Sequence, residues 1–492
     1  MKRVTSAILP IISIDRRAAE PLHRQIYDAY RSAIVHRRLR PRARVPSTRM
    51  LAGELGVSRM PVLNAYAQLL AEGYFESRVG AGTLVCSSLP DQLAGPEAAS
   101  TASTQRLSGA RPVSIRSLRL NRDRRAPWHG FGAFGVGQVA FDHFPIQIWS
   151  SLVTRHCRGM GAESAHYGDR MGSVAFRETI ADYLRTARGV SCEAAQIIIV
   201  SGSQQALEIS ALVLLNPGSP VWVEEPGYSF MREVLTLTGC RIVPVPVDDE
   251  GLDVAAGTKL FRKARAAFVT PSHQYPLGVT MSASRRLQLL RWAQNAGSWI
   301  IEDDYDSEFR FGCQPIASLQ GLDSHARVIY IGTFSKVLFP SLRMGYMVLP
   351  PDLIDRFYSV RRAMDLGPPN FYQDVVTDFI REGHFARHIR RMRTLYGDRR
   401  SALVESIRQE FGTAVQIAGS DAGLHLTVLF PELKSDVDLA IKAARHKLWL
   451  WPLSPAYVGK ASHQGFILGF GNSSAEEMPR TIRKIRSVLG SK

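Results

Sequence analysis

Two different patterns of apolar and polar residues divide the chain. Near the start, apolar residues recur at helical spacing from Pro21 to about Arg37, which predicts an amphipathic helix. Beyond Pro127, short apolar runs alternate with helical stretches. The runs that predict strands are residues 197–200, 220–223, 241–245, 266–270, 299–301 and 328–331. This alternation indicates an α/β domain with a mostly parallel sheet covered by helices on both faces.

The segment that follows the first helix predicts two more helices joined by a tight turn. It reads VPSTRMLAGELGVSRMPVLNAYAQLLAEGYFESRVGAGTLV. Ser47 is placed to cap a short helix that ends near Leu55, and Ser58 is placed to cap a second helix through Ala71. Gly56 supplies the turn between them. This order is that of a helix-turn-helix unit.

A hairpin is predicted directly after these helices. Residues 74–76 and 83–85 are apolar enough for strands, and they flank the segment RVGAG, whose glycines permit a tight turn. The hairpin would complete a winged helix-turn-helix. The structural alternative is a generic three-helix domain whose arginines are merely solvated.

The charge distribution favours the winged helix. The chain has 492 residues and a formal net charge of +17. Residues 1–90 carry 14 Lys or Arg against 6 Asp or Glu, so +8 lies in under a fifth of the chain. Such a concentration of positive charge is typical of a module that binds nucleic acid.

The composition also indicates in which cellular compartment the protein is found. No apolar run approaches the roughly 18 residues of a membrane span, so no membrane partner is expected. The 5 cysteines are scattered without a CxxC pair, which argues against a zinc site and for a reducing compartment. We therefore expect a cytoplasmic protein with no metal.

Three regions follow from these patterns. Residues 15–86 are predicted to form the DNA-binding head, and residues 127–492 the large α/β domain. Between them, residues 87–126 are rich in Ser, Ala, Gly, Pro and Arg and poor in large apolar residues. That composition predicts a flexible linker.

Polar motifs follow the predicted strands of the large domain, where ligands bind in sheets of this kind. They are SGSQQAL with Ser203 and Gln204, EEPGY with Tyr228, PSHQYPLG with His273 and Gln274, EDDYD with Asp303 and Tyr305, and GTFSKVLFPSLRMGY with Thr333, Ser335, Lys336 and Arg343. A lysine on its own would be expected at the surface, because it is costly to desolvate. A glycine turn into a helix, as at Ser203, is by itself often an ordinary capped helix.

Taken together, these residue types match what pyridoxal phosphate requires. The cofactor needs a lysine for an imine and a carboxylate against its pyridine nitrogen. It also needs an aromatic ring stacked on it, a donor to its phenolic oxygen, and hydroxyls with an arginine around its phosphate. Every one of these is present at a strand end. We therefore expect the amine of Lys336 to react as a nucleophile with a carbonyl group.

The motifs resemble two known families. Residues 15–86 resemble the GntR winged helix-turn-helix, and the whole chain resembles the MocR subfamily, in which that head is joined to a fold-type I aminotransferase-like domain. The resemblance implies a Schiff base at Lys336, Asp303 at the pyridine nitrogen, Tyr305 at the phenolic oxygen and Tyr228 on the ring. It further implies a phosphate cradle of Ser203, Gln204, Thr333, Ser335 and Arg343, with His273 and Gln274 near the ring oxygen.

The same resemblance implies the partners. GntR proteins are dimers that read a repeated operator, with the second helix of the unit in the major groove and the wing on the backbone. It assigns the operator contacts to Ser47, Arg49, Ser58, Arg59, Arg78 and Gly80. Pro61 is a departure, because it removes one backbone donor. Tyr167 resembles a tyrosine that reaches the phosphate of the second subunit, which implies a homodimer.

A second departure bears on activity. Aminotransferases of this fold usually hold the substrate carboxylate with an arginine near the C-terminus. Here the segment WPLSPAYVGKASHQGFILGFGNSS contains Lys460 but no arginine. We therefore expect a pyridoxal-phosphate-dependent transcriptional regulator that senses the cofactor or an amino-acid-like effector. The alternatives are a working aminotransferase with an accessory head, and a DNA-binding protein whose large domain is an empty scaffold.

A basic helix leaves a further alternative open. Residues 381–400 carry several arginines beside an apolar face. They are either a surface helix with a solvated basic side or a second face that contacts DNA.

Overall fold

The computed structural model describes residues 12–78, 82–87, 112–120, 128, 130, 132–311, 317–419 and 421–490. The chain divides into two compact units, Met1–Pro112 and Val113–Lys492, and each is described by itself. The division falls inside the segment predicted as a linker, residues 87–126. Most of that segment, together with Gly80, lies outside the described residues.

The first unit contains the predicted helices and hairpin. Its elements are α1 (Leu22–Val35), α2 (Thr48–Glu54), α3 (Arg59–Ala71), β1 (Phe75–Arg78) and β2 (Gly82–Val85). The two strands are antiparallel, with Phe75 opposite Val85 and Arg78 opposite Gly82. The winged helix-turn-helix is therefore confirmed.

The core of this unit is apolar and aromatic. Tyr30, Tyr66 and Phe75 pack edge to face, with ring centroids 5.1 to 5.6 Å apart. Edge-to-face packing of this kind adds about 0.5–1.5 kcal/mol per pair beyond the burial of area. These rings hold α1, α3 and the wing together.

The two predicted helix caps turn out differently. Ser47 Oγ accepts a hydrogen bond from the Met50 backbone N–H at 3.3 Å, as predicted. Ser58 does occupy the position before α3, but its side chain makes no capping hydrogen bond, so that prediction is wrong. Gly56 has a φ of +61°, the left-handed conformation expected of the turn.

The second unit alternates strands and helices, as the apolar pattern predicts. Its helices are α4 (Ile115–Leu118), α5 (Ile146–Arg158), α6 (Val174–Ala187), α7 (Ser203–Leu214), α8 (Ser229–Thr238), α9 (Val254–Phe261), α10 (Ala283–Ala296), α11 (Leu319–Leu322), α12 (Ile354–Asp365), α13 (Phe371–Arg381), α14 (His384–Phe411), α15 (Asp436–Arg445) and α16 (Met478–Gly490). The helix α4 lies within the predicted linker.

The strands form two sheets. They are β3 (Ile197–Val200), β4 (Pro220–Glu225), β5 (Arg241–Asp248), β6 (Gly251–Leu252), β7 (Ala266–Val269), β8 (Trp299–Asp304), β9 (Val328–Thr333), β10 (Gly345–Val348), β11 (Gln416–Ala418), β12 (His425–Leu429), β13 (Trp451–Pro452) and β14 (Gly465–Gly469). The large sheet has the order β3-β10-β9-β8-β7-β4-β5-β6, and the small one the order β11-β12-β14-β13.

The large sheet is mostly parallel, which confirms the predicted α/β class. The pairs β4–β5, β4–β7, β7–β8 and β8–β9 are parallel, whereas β10 pairs antiparallel with both β3 and β9. Strands β6 and β10 and the small sheet were not predicted. Their apolar runs are short, and periodicity alone does not separate such runs from buried helix.

Both faces of the large sheet are buried. In β3, Ile197 and Ile199 enter one apolar core, while Ile198 enters the other. Successive side chains of a strand point to opposite faces, so a continuous apolar run is what a sheet between two layers of helices requires. Across the described residues, no helix is both long enough and apolar enough to cross a membrane.

Candidate functional site

A cavity of about 270 Å³ lies where β8 and β9 end. Most of the predicted cofactor residues line it. The lining consists of Val136, Gly137, Ser203, Gln204, Tyr228, Phe230, Thr270, Tyr275, Asp303, Tyr305, Asp306, Thr333, Ser335, Lys336, Pro340, Arg343, Leu424, His425 and Trp451. Residues more than 300 positions apart in the chain thus share one pocket.

Lys336 extends into this cavity from the turn after β9. Its Nζ donates a hydrogen bond to the backbone oxygen of Gly137 at 3.3 Å. Gly137 has a φ of +78°, and a Cβ added there would lie 2.6 Å from that Nζ. Burial lowers the pKa of Lys336, while the charges of Asp306 and Asp303 oppose that shift. A lysine with a lowered pKa is a better nucleophile near neutral pH.

Asp303 is the next-to-last residue of β8, and its buried carboxylate lacks a full set of hydrogen-bond partners. Its Oδ1 atom has no hydrogen-bond partner within the described structure. Burial and the neighbouring Asp304 raise its pKa to about 7, and a hydrogen bond from Ser203 and the charge of Lys336 only partly oppose the shift. An unpartnered buried carboxylate is costly, and a protonated ring nitrogen would satisfy it.

Asp304 lies on the other face of the same strand, as strand alternation predicts. Its Oδ2 accepts a hydrogen bond from Arg188 Nε at 2.9 Å and one from the Tyr330 hydroxyl at 2.6 Å. Both side chains of the Arg188–Asp304 ion pair are almost fully buried. Asp304 therefore joins the core of the domain, away from the cavity.

Tyr305 connects the cavity to a buried histidine. Its hydroxyl donates to the backbone oxygen of His273 at 2.9 Å and lies 3.1 Å from His273 Nδ1. The same Nδ1 lies 3.1 Å from Asp306 Oδ2. His273, predicted to lie beside the cofactor ring, is thus behind Tyr305 and Asp306 and does not line the cavity.

Gln274 also lies outside the cavity, unlike its predicted position. Its Nε2 donates to the backbone oxygen of Pro226 at 2.9 Å, and its Oε1 accepts from the Leu277 N–H at 3.0 Å. The amide is used to satisfy backbone groups of two buried loops, which leaves it unable to point toward a ring. Its position in the sequence gave no sign of this.

The predicted phosphate residues surround the N-terminus of α7. Gly202, with a φ of +91°, precedes the helix, and a Cβ there would lie 3.5 Å from the Arg343 guanidinium. Thr333 Oγ1 donates to Ser335 Oγ at 3.0 Å. Free backbone N–H groups, hydroxyls and an arginine at one helix N-terminus form an anion site. Gln204 lines the same end and donates to the backbone oxygen of Phe230 at 2.9 Å.

Aromatic rings close another side of the cavity. Tyr228 lies 5.6 Å from the ring of Tyr275 and 5.5 Å from that of Phe230, centroid to centroid. Tyr167, by contrast, is 82% exposed and does not line the cavity of its own chain. An exposed tyrosine is compatible with the predicted contact to a second subunit.

Sequence reasoning missed the residues that the small sheet contributes. His425 begins β12 and Trp451 begins β13, and both line the cavity. Burial, and then the neighbouring His273, lower the pKa of His425 to about 3, so its ring is neutral. Only the packing of the small sheet against the large one brings these residues in. No local motif marks them.

The C-terminal segment adds no cation to the cavity. Strand β14 is buried throughout and contains no charged residue. Lys460 is exposed and does not line the cavity. Of the described residues that line it, Lys336 and Arg343 are the two with cationic side chains.

In the first unit, the predicted DNA contacts form an exposed basic surface. Ser47, Arg49, Ser58 and Arg59 are all exposed around the facing ends of α2 and α3. Arg59 Nε donates to Thr48 Oγ1 at 3.1 Å, which orients its guanidinium. On β1, the Arg78 side chain is 55% exposed and pairs with Glu76 at 3.1 Å. Sequence reasoning missed Arg44, an exposed arginine beside Gly82 of the wing.

The residues present fit pyridoxal phosphate. The unpartnered Asp303 Oδ1 would suit a protonated pyridine nitrogen, and the helix N-terminus that Gly202 opens would suit a phosphate. Lys336 lines the same cavity, and burial lowers its pKa. The donor set also matches the chemistry of the group, because each charged part of the cofactor would find an opposite charge or a hydrogen-bond donor among these residues.

Two families match the chain. Residues 133–485 match "Aminotransferase class I and II", and residues 22–85 match "Bacterial regulatory proteins, gntR family". The chain therefore belongs to the gntR-type regulators that carry an aminotransferase-like domain, the MocR type.

Similar proteins support this membership over the full length. The "Probable rhizopine catabolism regulatory protein MocR" of Rhizobium meliloti is 39% identical over 97% of this chain and 96% of that protein. The "HTH-type pyridoxine biosynthesis transcriptional regulator PdxR" of Corynebacterium glutamicum is 29% identical over 94% and 95%. The chain is accordingly a transcriptional regulator.

Solved structures resemble the second unit. The kynurenine aminotransferase of Pyrococcus horikoshii aligns with a TM-score of 0.71 and 26% identity, over 77% of this chain and 96% of that one. The α-aminoadipate aminotransferase LysN of Thermus thermophilus aligns with a TM-score of 0.68 and 26% identity, over 72% and 91%. The fold-type I aminotransferase-like domain is thereby confirmed.

Proposed function

We propose that this regulator binds pyridoxal phosphate in the cavity at Lys336 and changes its affinity for operator DNA in response. The cofactor supplies an electrophilic carbonyl that condenses with amines. In this chain, Lys336 provides the amine, Asp303 holds the pyridine nitrogen, Tyr305 the phenolic oxygen and Tyr228 the ring face. The phosphate is held by Ser203, Gln204, Thr333, Ser335 and Arg343.

The observation that carries this proposal is a buried carboxylate and a half-buried lysine that line one cavity without satisfying each other. Lys336 and Asp303 both line the cavity, and each shifts the pKa of the other toward its charged form. Yet Asp303 Oδ1 stays unpartnered. Leaving such groups buried lowers stability, so their presence favours a ligand that satisfies both.

We further propose that the protein acts as a homodimer. Tyr167, exposed in one chain, would contact the phosphate bound by the second chain, so that each cavity is completed by its neighbour. The exposed surface of Arg49 and Arg59 would enter the major groove of each half-site, with Arg78 and Gly80 on the flanking backbone. Ser47 and Ser58 lie at the same helix ends and would contact phosphates.

We propose that the large domain senses and does not sustain transamination. Rapid turnover requires an oriented substrate, because orientation supplies much of a catalytic rate. No arginine of the C-terminal segment is available for a bidentate contact to a carboxylate, and Lys460 would offer only a point charge.

The deciding experiment measures two quantities on the same preparation. Operator affinity is measured with and without pyridoxal phosphate, for the wild type and for Lys336→Ala. Steady-state formation of keto acid is measured with common amino acids. We expect at least a tenfold change of affinity in the wild type, which corresponds to about 1.4 kcal/mol of coupling, and none in the variant.

Keto-acid formation should stop after at most one turnover. Sustained turnover together with operator binding that ignores the cofactor would favour the alternative, an aminotransferase with an accessory DNA-binding head.

A further inference from the structure

Three side chains of the kinds that bind metal ions come together beside the cavity. One ligand atom from each of His273, Asp306 and His425 lies within 4.8 Å of the other two, and all three residues are buried. His273 follows β7, Asp306 follows β8 and His425 begins β12, so the fold brings them together from separate parts of the chain. The expectation of no metal rested on the spacing of the cysteines, whereas these donors are two imidazoles and a carboxylate.

His273 and Asp306 are in direct contact. The Nδ1 atom of His273 lies 3.2 Å from Asp306 Oδ1 and 3.1 Å from Asp306 Oδ2. Nitrogen and oxygen ligands bind Zn²⁺ at about 2.0–2.2 Å, which places the ligand atoms of one ion roughly 3 Å apart. The other ring nitrogen of His273, Nε2, is buried without a hydrogen-bond partner within the described residues. It is therefore available to carry the ring proton when a metal occupies Nδ1.

His425 presents a nitrogen lone pair of defined orientation. Its Nε2 lies 3.2 Å from the backbone oxygen of Pro276. A carbonyl oxygen only accepts hydrogen bonds, so the ring proton lies on Nε2 and the lone pair of the neutral ring lies on Nδ1. Metal-binding histidines usually donate their second N–H in this way, because that hydrogen bond fixes the orientation of the ring. The rings of His425 and His273 are 4.7 Å apart, centroid to centroid.

Asp306 supplies the negative charge of the cluster. Its side chain is only 2% exposed, and its Oδ2 accepts a hydrogen bond from the Leu424 N–H at 3.1 Å. Carboxylates that bind metals are commonly held by outer hydrogen bonds of this kind. Asp306 and His425 both line the cavity, so a fourth coordination position would be open to water or to a small ligand there.

We propose that the cofactor-free protein binds one Zn²⁺ ion through His273, Asp306 and His425. Two imidazoles and one carboxylate form a ligand set that suits Zn²⁺ in sites that keep an open position. This inference goes beyond the proposed function, because it concerns the protein before the cofactor has bound.

The test uses the full-length protein after the cofactor and any metal have been removed. Zn²⁺ binding is measured by competition with a fluorescent chelator at micromolar protein concentration. Co²⁺ serves as a second probe, because its visible absorbance distinguishes a four-coordinate site from the hydrated ion. We expect one Zn²⁺ ion per chain and the absorbance of four-coordinate Co²⁺.

Two variants remove ligands of the proposed site. His425→Ala should weaken Zn²⁺ binding at least about tenfold. The Pro276 carbonyl stays satisfied in this variant, because the Thr427 hydroxyl also donates to it at 2.6 Å. Asp306→Asn keeps an acceptor for the Leu424 N–H and should also weaken binding at least about tenfold, since the charge of the ligand is lost. Circular dichroism of the metal-free variants checks that they are folded.

The matched control is His156→Ala. His156 Nε2 lies 2.8 Å from Asp378 Oδ2, but both side chains are partly exposed, and this pair belongs to no cluster of three such ligands among the described residues. The control should bind Zn²⁺ like the wild type. Lys336→Ala should bind Zn²⁺ at least as tightly as the wild type, because it removes a cation from the same cavity.

The inference is overturned if the cofactor-free wild type binds no Zn²⁺, or if His425→Ala and Asp306→Asn both bind it like the wild type. Loss of binding in His156→Ala would place the ion at the surface and would also overturn it. Failure of the proposed function looks different: the wild type would then bind Zn²⁺ but show no cofactor absorbance when pyridoxal phosphate is added.

Discussion

The two units of this chain place their charges in opposite ways. In the first unit the core consists of apolar and aromatic side chains, and the arginines proposed to contact DNA are exposed. In the second unit charged groups lie inside, among them Lys336, Asp303 and the Arg188–Asp304 pair. The first unit presents its positive charge to the outside, while the second encloses a cavity lined by charged groups.

Two neighbouring aspartates of β8 show what this difference means. Asp304 is buried and paired with an opposite charge, since Arg188 and Tyr330 both donate to its Oδ2, although its Oδ1 has no hydrogen-bond partner within the described structure. Asp303 is buried and left with an unpartnered oxygen. A buried carboxylate that is paired with a buried arginine belongs to the fold, whereas a buried carboxylate that lines a cavity indicates a ligand site. Exposed arginines do not indicate a ligand site in this way, because water satisfies their hydrogen-bond donors.

The largest expected effect is the loss of the cofactor on changing Lys336. The wild-type protein should bind pyridoxal phosphate with a visible absorbance band, and Lys336→Ala should lack that band entirely because the attachment point is gone. Absorbance spectroscopy of the purified proteins checks this. The control is Lys460→Ala, which changes an exposed lysine of the same domain and should retain the band. An unchanged spectrum in Lys336→Ala would refute the assignment.

The next effect separates the two aspartates. Asp304→Ala leaves Arg188 buried without its counter-ion, so the free energy of unfolding should fall by about 3–5 kcal/mol. Asp303→Asn should leave the cofactor-free protein at least as stable as the wild type but weaken cofactor binding. Urea unfolding followed by tryptophan fluorescence measures this, because all 7 tryptophans follow residue 127.

The opposite result would contradict the division between fold and site. If Asp303→Asn destabilised the cofactor-free protein as strongly as Asp304→Ala, Asp303 would be a structural residue.

A smaller effect is expected in the first unit. Arg59→Ala should weaken operator binding by about 1–3 kcal/mol and relax the preference for sequence if Arg59 contacts a base edge. If it contacts a phosphate, affinity should fall equally for all sequences and depend less on salt. Fluorescence anisotropy with operator and scrambled DNA at matched salt distinguishes these two kinds of contact.

The control is Arg24→Ala, which removes the same charge from α1, where Arg24 pairs with Asp28. Wild-type affinity in Arg59→Ala would remove Arg59 from the interface.

The smallest effect is a dependence of stability on pH that only the second unit should show. Burial raises the pKa of four of its carboxyls to about 7: Glu224, Glu302, Asp303 and Glu308. In the unfolded chain such groups have pKa values of about 4, so between pH 5 and 7 the folded state holds more protons than the unfolded one. Stability should therefore be greatest near pH 5 and fall as the pH rises toward 8.

Tryptophan fluorescence of the cofactor-free protein in urea tests this across pH 5 to 8. A fall of at least about 1 kcal/mol is expected, since one pKa unit corresponds to about 1.4 kcal/mol. Asp303→Asn should reduce the slope. In the first unit the hydrogen bond from Tyr27 lowers the pKa of Glu72, and that shift acts below this range. A flat profile in the wild type would mean that these carboxyls stay ionised in the folded protein, as they are in the unfolded chain.

Local sequence determined much of this protein. The apolar runs predicted six strands of the large sheet, and β3 was predicted to the residue. Helical spacing, with Gly56, predicted the winged helix. The strand-end motifs brought Lys336, Asp303, Tyr305 and Tyr228 to one cavity, because the ends of adjacent parallel strands meet at one edge of a sheet.

Tertiary structure decided the rest. Whether Gln274 faces a ligand or a backbone carbonyl depends on which buried groups of distant loops need a donor. His425 and Trp451 enter the cavity only because the small sheet packs against the large one, across a sequence separation of about 90 residues or more from Lys336. Periodicity records which face of an element is buried. It does not record which residues that face will contact in the folded protein, and only those contacts and the burial they cause shift the pKa values of Asp303 and His425.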